Sequence, residues 1–567
     1  MKKLLNQVAD VVPQMLEGLV DANPGLAVLA GQTVVLRSDH REVAARGEVA
    51  IISGGGAGHE PAHGGYVGPG MLTGAVVGDV FTSPSTDAVL AAVRAVGDEA
   101  GVLLVVKNYT GDRLNFGLAA EIVRAEGVPV EMVVVGDDVA LSAEGDHAGR
   151  RGIAGTVLVH KAAGAAAARG DDLAAVAEVA RSVARGVRSM GVALGACTLP
   201  AVGTPGFELG DDEVEWGLGI HGESGVERGA LVSADEVAER LVGAVAEDLS
   251  LRGGERLAVL VNNLGTTPPS ELDIVARGVL QSLRARGAEV ERLWVGTFLT
   301  ALDMPGCSVS VLVVDDALVE LLDASSQTSA WPAEHRGRVA AERELPDETT
   351  DDAEDQPDGE RLADGPVRRG LLAACAALRE AEPELTRMDS EVGDGDLGTG
   401  LDRGARAIEA EVDGYPADAA GALRAASATV RRAIGGTSGP LYSILLMRAA
   451  AVVEDGDDAS AATWAAALQA GAEGIKEVGG ADVGDRTMLD ALVPLGDTLA
   501  DRIGAGESPV AALAAAVDAA REGTAATTDT VARVGRSSYL GERAKGTPDP
   551  GAQAVVVWAD ALADALG

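Results

Sequence analysis

Between about residues 30 and 330 the chain alternates short β-branched apolar runs with longer alanine-rich stretches. EVAIIS (residues 48–53), GVLLVVKN (101–108) and VEMVVVG (130–136) read as buried strands. TDAVLAAVRAVGDEA (86–100) and FGLAAEIVRAEG (116–127) read as the helices between them. That alternation predicts βαβ units and a mainly parallel sheet. A second set of strands follows in RLAVLVNNLG (256–265), VERLWVGTFL (290–299) and SVSVLVVDD (308–316), with alanine-rich helix over residues 156–189 between the sets. The expected fold is therefore two α/β lobes with mainly parallel or mixed sheets, residues 1–188 and 189–332.

Composition then changes. PDETTDDAEDQPDGERLADGP (346–366) is rich in acid, proline and glycine and poor in apolar residues, so an acidic linker is expected over 333–364. Beyond it β-branched runs fade and amphipathic alanine-rich stretches dominate. Residues 365–567 read as an all-α bundle or barrel of roughly seven to nine helices.

The whole chain has 567 residues, too many for one core, and its net charge is −41. Such a surface repels nucleic acid and anionic membranes. Aromatic residues make up 2%, so the cores must be built from Ala, Val and Leu. Cys197, Cys307 and Cys375 form no CxxC pair and no even disulfide framework, which suits a reducing cytoplasm. MKKLLNQVADVVPQM lacks the apolar core and cleavage site of a signal peptide, and no apolar run is long enough to span a bilayer.

Three segments carry candidate chemistry. The strand at 48–53 runs into SGGGAGHEP, where glycines would let backbone approach a small ligand. It is no dinucleotide fingerprint, because His59 stands where the last glycine belongs, and there is no P-loop. A tight turn with a solvated His59 would leave the same letters. KNYTGD places Lys107 and Asp112 past the carboxyl end of the next strand, where open α/β sheets bind ligands, so His59, Lys107 and Asp112 could share one pocket. An imidazole and a carboxylate there could take a proton from a hydroxyl. GLGIHGE sets His221 between glycines, a loop histidine or a functional one. His63, His147 and His160 are given no role; His160, beside Lys161 in an alanine-rich helix, reads as a surface residue, and His40 and His335 read as solvated.

In the helical part, MDSEVGDGDLGTG holds Asp389, Asp394 and Asp396, separated by glycines that let three carboxylates point at one spot. Hard oxygen ligands on a loop suit Mg²⁺; a solvated acidic turn is the plainer alternative. IGGTSGP places Thr437 and Ser438 at a helix start, an anion site. GGADVGDRTML and GRSSYLGERAKGTPDPGA are further glycine-bearing interruptions that could complete a nucleotide mouth.

These motifs, in this order and over nearly the whole chain, resemble the dihydroxyacetone kinase family in its fused form. The resemblance implies ATP-dependent phosphorylation of dihydroxyacetone, with lobe two carrying a histidine, His221, that forms a covalent hemiaminal with the ketone. It implies that Gly56, Ala57, Gly58, His59, Lys107 and Asp112 hold the substrate, with Asp112 as general base helped by His59. It implies that Asp389, Asp394 and Asp396 hold two Mg²⁺ ions bridging the phosphates of ATP. The nucleotide would be surrounded by Leu397, Gly398, Thr399, Gly400, Thr437, Ser438, Gly439, Gly479, Met488, Arg536 and the turn Asp549, Pro550, Gly551. Leu397 departs from the family pattern, which often has a polar side chain there, and any side-chain contact to phosphate is lost with it. A homodimer is expected, with the linker permitting closure of the two parts or exchange of helical domains between subunits. Alternatives are a kinase of a four-carbon ketose such as D- or L-erythrulose, a phosphotransferase-system relay, and a non-catalytic ketose sensor.

Overall fold

The computed structural model describes residues 2–141, 149–222, 225–332, 339, 360–533 and 541–567. It divides into two compact units, Met1–Leu345 and Pro346–Gly567. Most of the expected linker lies outside the described residues. Among the described residues no helix is long and apolar enough to cross a membrane.

The first unit opens with helix α1 (Val11–Ala22), strands β1 (Leu26–Val28) and β2 (Val34–Arg37), and the short helix α2 (His40–Ala45). There follow β3 (Ala50–Ala57), β4 (Gly74–Val80), α3 (Thr86–Val96), β5 (Val102–Lys107), α4 (Thr110–Ala125) and β6 (Val130–Val135). The sheet order is β1-β2-β4-β3-β5-β6; β4, β3, β5 and β6 are parallel neighbours, while β1 and β2 join antiparallel at one edge. Side chains alternate across it as the two-residue strand period requires. Ile52, Leu104 and Val106 pack with Val89, Val93, Phe116 and Val123 of α3 and α4. Their neighbours Ile51, Leu103 and Val105 face the opposite side.

On that opposite side lie α5 (Thr156–Arg169) and α6 (Leu173–Gly186), broken apart at Gly170, whose φ is 94°. The same apolar cluster takes in Val159, Ala163 and Ala177 from these helices and Leu260 and Leu312 from the second sheet, so the pair is shared by both sheets. Helix α5 is buried from Thr156 through Ala167. His160 and Lys161 are therefore core residues, not surface ones; Lys161 Nζ donates to the Leu321 carbonyl at 2.8 Å. Alanine lets a helix be buried all round, and a composition rule that ties Lys to solvent fails there.

The second sheet comprises β7 (Val187–Ala193), β8 (Glu213–Trp216), β9 (Glu227–Ala230), β10 (Arg256–Asn263), β11 (Glu289–Gly296) and β12 (Gly306–Val313), in the order β11-β10-β12-β7-β8-β9. Helices α7 (Ala234–Leu249) and α8 (Pro269–Ala285) cover its outer face, and α9 (Asp316–Asp323) follows β12. Among the described residues only β10 and β11 pair in parallel; the other pairings of this sheet are antiparallel. The sheet is mixed because, among its neighbouring strands, β10 and β11 are joined by a full helical crossover, whereas the loop from β11 to β12 is too short for one.

The second unit is all helical among its described residues: α10 (Pro366–Glu380), α11 (Glu382–Val392), α12 (Leu397–Glu411), α13 (Ala419–Ala433), α14 (Ser438–Asp455), α15 (Ala461–Gly479), α16 (Leu489–Gly504), α17 (Pro509–Ala526) and α18 (Pro550–Leu566). Successive neighbours α10, α12, α13, α14, α15, α16, α17 and α18 pack side by side, and α18 returns to α10. The ring is a closed helical barrel around an apolar hollow of about 810 Å³, lined by residues such as Leu371, Leu378, Tyr442, Leu468, Trp558 and Leu562.

Candidate active site

The glycine segment does not form a loop after the strand, as its letters suggest; β3 runs through Gly54, Gly55 and Gly56 to Ala57. Pairing with β4 and close neighbours leave no room for side chains there. A β-carbon at Gly54 would stand 2.3 Å from the Val76 carbonyl oxygen, and one at Gly56 would stand 2.6 Å from the Thr82 nitrogen. Gly55 lies under the tip of Lys107, with Nζ 2.7 Å and Asp112 Oδ2 3.7 Å from where its β-carbon would be. The chain then turns at Gly58, φ 97°, a left-handed geometry that favours glycine.

His59 is wholly buried, which removes the solvated-turn alternative. Its Nδ1 is 2.8 Å from the Thr300 carbonyl, which can only accept, so Nδ1 carries the proton and Nε2 keeps its lone pair. Lys107 ends β5 and Asp112 stands in the first turn of α4; both are buried. His59 Nε2, Lys107 Nζ and Asp112 Oδ1 are buried without a hydrogen-bond partner among the described residues. Each is costly to leave so, and their clustering marks a place for a polar ligand.

His221, on the loop beyond β8, closes this group. Its ring centroid is 4.9 Å from that of His59, 4.6 Å from Tyr109 and 5.3 Å from Phe81, which also stacks on His59 at 5.1 Å. Burial, with the positive charges of Lys107 and then Arg151, lowers its pKa to about 3. Burial likewise takes His59 well below the ordinary imidazole value, with Lys107 adding to the effect. Burial raises Asp112, opposed by Lys107 and a hydrogen bond with Ser83. Burial lowers Lys107, opposed by Asp112 and Glu60. The pocket thus holds neutral imidazoles beside a lysine and an aspartate whose charged forms burial disfavours and their mutual attraction favours. His63 and His160 pair separately in the core, Nδ1 to Nε2 at 2.9 Å.

In the second unit Asp389 lies in the last turn of α11, and Asp396 is the N-cap of α12. Gly395, φ 77°, reverses the chain between them. A β-carbon at Gly393 would lie 2.3 Å from Asp389 Oδ1. Oxygens of Asp389, Asp394 and Asp396 fall within 4.8 Å of one another. Three carboxylate donors at that spacing, two on exposed residues, fit a hard divalent cation that keeps part of its water shell.

The other predicted nucleotide residues form a ring of loops beside this trio. Gly398 permits the close approach of α12 to Thr386, and Gly400 abuts Ile434, which precedes the Thr437 N-cap of α14. Ser438 and Gly439 open α14, and Gly439 lies against the Ile434 carbonyl. Gly479 ends α15 and lies near Leu441 of α14. Met488 caps α16 and touches Gly551 of the turn that begins α18, where Asp549 accepts from the Ala552 N–H at 2.8 Å and Pro550 is the first helical residue. Burial raises the pKa of Asp549 to about 7, with Asp490 and Asp389 adding to the effect, which returns the ring to the trio. Thr399 is exposed, its hydroxyl on the Asp396 carbonyl at 3.1 Å. Arg536 lies outside the described residues.

Comparison with known proteins matches a Dak1 domain over residues 17–330 and a DAK2 domain over residues 391–564. The chain is 43% identical to human triokinase/FMN cyclase over 585 residues, covering 100% of this chain and 99% of that one. The chain belongs to the fused dihydroxyacetone kinase family. It is also 38% identical, over 577 residues, to the D-erythrulose kinase of Mycolicibacterium smegmatis, covering 100% of this chain and 99% of that one. The crystal structure of the dihydroxyacetone kinase from C. freundii in complex with AMP-PNP and Mg²⁺ matches with a TM-score of 0.62 at 37% identity, over 99% of each chain.

Against the family pattern Leu397 now has a physical reading. Its side chain packs on the apolar cluster of Leu385, Leu401 and Ile434, while its N–H donates to Asp389 Oδ2 at 3.2 Å. The position serves the aspartate trio through its backbone. Motif reading missed several residues of this pocket. Tyr109 and Phe81 wall His221, and Thr300 orients His59 from the second sheet's side, more than two hundred residues away in sequence. Arg486 is buried and donates to the carbonyls of Thr527, Ala544 and Thr547, tying the loop before α16 to that before α18. Tyr109 lies inside KNYTGD and was within reach of sequence; Thr300 carries no local signal.

Proposed function

We propose that the chain is an ATP- and Mg²⁺-dependent kinase of a short ketose, dihydroxyacetone above all, which it captures as a hemiaminal on His221. The observation that carries this reading is the set of three unpartnered buried polar atoms, on His59, Lys107 and Asp112, packed around a neutral imidazole. A ketose with a hydroxyl beside its carbonyl supplies what they lack: a donor to His59 Nε2 and Asp112, and an acceptor for Lys107.

An imidazole nitrogen of His221 adds to the ketone carbon as the carbonyl π bond breaks, the oxygen takes up a proton, and the ring gives up its N–H proton, so the hemiaminal is neutral. Lys107 orients a hydroxyl oxygen. Asp112 takes the proton of the primary hydroxyl as that oxygen attacks the terminal phosphorus of ATP and ADP leaves, with His59 Nε2 accepting from another hydroxyl of the ketose. Asp389, Asp394 and Asp396 would hold Mg²⁺. The metal, when bound, neutralises phosphate charge. The backbone at Gly398 and Thr399 and at the Thr437–Gly439 helix start offers N–H groups to phosphate oxygens. Fixing the ketone covalently turns the encounter into a near-unimolecular one, an advantage of up to about 7–11 kcal/mol.

His221→Ala tests this. Ketose KM is expected to rise by about a hundredfold or more, with the KM for ATP unchanged. An unchanged ketose KM would remove the hemiaminal. pH gives a second check. A pKa lowered to about 3 means the neutral nucleophile persists down to that pH. Capture of the ketone by the wild-type chain, followed by native mass spectrometry, is therefore expected to be level from about pH 8 to about pH 5, where an ordinary imidazole would be mostly protonated. A fall centred near pH 6.5, the ordinary imidazole value, would contradict the assignment. A four-carbon ketose presents the same carbonyl and primary hydroxyl, and relatives at 38% and 39% identity are named D-erythrulose kinase and L-erythrulose 1-kinase. Side-by-side kcat/KM for dihydroxyacetone and both erythruloses decides between them.

A further inference from the structure

The sequence GDD at residues 136–138 follows β6 and has no part in the chemistry above. It stands at the seam of the two sheets. The Asp137 carboxylate accepts from the N–H groups of Ile153 and Gly155 at 2.8 and 2.9 Å, fixing the start of α5. Asp138 forms a bridge with Ser189 of β7 and donates its N–H to the Arg151 carbonyl at 3.1 Å. Its side chain, 1% exposed, takes the Arg151 guanidinium: Nε and Nη2 stand 2.8 and 2.7 Å from Oδ2. The same Nη2 donates to the carbonyl of Gly217 at 2.7 Å. Gly217 opens the loop that ends at His221, and the intervening Leu218 and Ile220 are buried.

The next residue ties this fork to the other wall of the pocket. Gly152 is packed so closely that a β-carbon would lie 2.9 Å from the Lys107 α-carbon and 2.5 Å from the Val135 carbonyl oxygen. One short segment, Arg151–Gly152, therefore touches the strand end that carries Lys107 and holds the loop that carries His221. A planar guanidinium can serve a carboxylate and a carbonyl together in fixed directions, which an ammonium on a flexible stem cannot.

We propose that Arg151, braced by Asp138, is a positioning residue for His221, setting where the imidazole stands relative to Lys107 and Asp112. The proposal rests on His221 being the ketone-capturing residue. Arg151 touches no reacting atom; it acts through the Gly217 carbonyl.

The experiment uses the full chain with five variants: Arg151→Met, Arg151→Lys, the double variant Arg151→Met/Asp138→Asn, and His221→Ala alone and combined with Arg151→Met. The double variant removes the buried carboxylate that Arg151→Met alone would leave unpaired, so a folded protein with an untethered loop can be assayed. In it, ketose KM is expected to rise by about tenfold or more while the KM for ATP stays within about twofold. Arg151→Lys is expected to recover part of the loss. In the His221→Ala background, Arg151→Met is expected to add nothing further, because the two act through one interaction. A ketose KM within about twofold of wild type in the folded double variant would overturn the proposal while leaving His221's role intact. An additive loss in the combined variant would overturn it as well, by showing that Arg151 acts elsewhere. If His221→Ala alone leaves ketose KM unchanged, the reading of His221 fails first, and the proposal fails with it.

Discussion

Asp394→Asn is expected to lower phosphoryl transfer by about a thousandfold, the scale of several kcal/mol of lost charge stabilisation. The substitution keeps the shape of an exposed side chain and removes one of the three negative charges gathered within 4.8 Å. The melting temperature should change far less than turnover, while the Mg²⁺ concentration needed for half-maximal rate rises. Asp402→Asn is the matched control. Asp402 lies on α12, one turn into the helix, and pairs with Arg406 at 2.7 Å. Removing its charge should change turnover little, because an exposed pair of this kind is worth at most about 1 kcal/mol. Steady-state rates over a Mg²⁺ series separate the cases. Equal turnover in wild type and Asp394→Asn would take the trio out of the mechanism.

Asp112→Asn is expected to reduce kcat by about 10²–10⁴-fold, the usual worth of a positioned general base. Ketose capture should survive, since His221 and Lys107 remain. The pH profile carries the sign. Burial raises the Asp112 pKa against the opposing effects of Lys107 and Ser83. A raised folded pKa means the carboxylate is lost by protonation at higher pH than an ordinary aspartate. The acid limb of kcat should accordingly lie above the normal Asp value of about 3.9, and should vanish in the Asn variant along with the activity. For stability the sign is the same. Between the unfolded pKa and the raised folded one the folded state holds more proton, so this group favours folding less as pH rises through that window. A kcat within tenfold of wild type would assign the base to another residue.

Sequence periodicity went far where strands are buried on both faces or helices are amphipathic. Residues 101–108 and 130–136 correspond to β5 and β6, and the alanine-rich stretches after residue 365 correspond to the barrel helices. It failed where burial and local letters conflict. Gly54–Gly56 read as loop because glycine has low strand propensity; tertiary pairing with β4 overrides it, since no β-carbon fits against Val76 and Thr82. The second sheet is mostly antiparallel because connection length, not strand composition, decides direction. At the site, the residues inside glycine motifs were legible: His59, Lys107, Asp112, His221 and the aspartate trio. The residues that orient them were not. Thr300 and Arg151 reach the pocket through one carbonyl and one guanidinium, from segments without a motif, and only the fold brings them there.

If His221 captures the ketose, its imidazole becomes bonded to the ketone carbon. Native mass spectrometry with collisional activation tests it directly, comparing dihydroxyacetone with glycerol, which offers the same hydroxyls and no carbonyl. One ketose adduct per chain is expected to survive activation until the backbone fragments, with no surviving glycerol adduct and with loss of the ketose adduct in His221→Ala. A ketose that strips off as readily as glycerol, or an adduct that persists in His221→Ala, would contradict it.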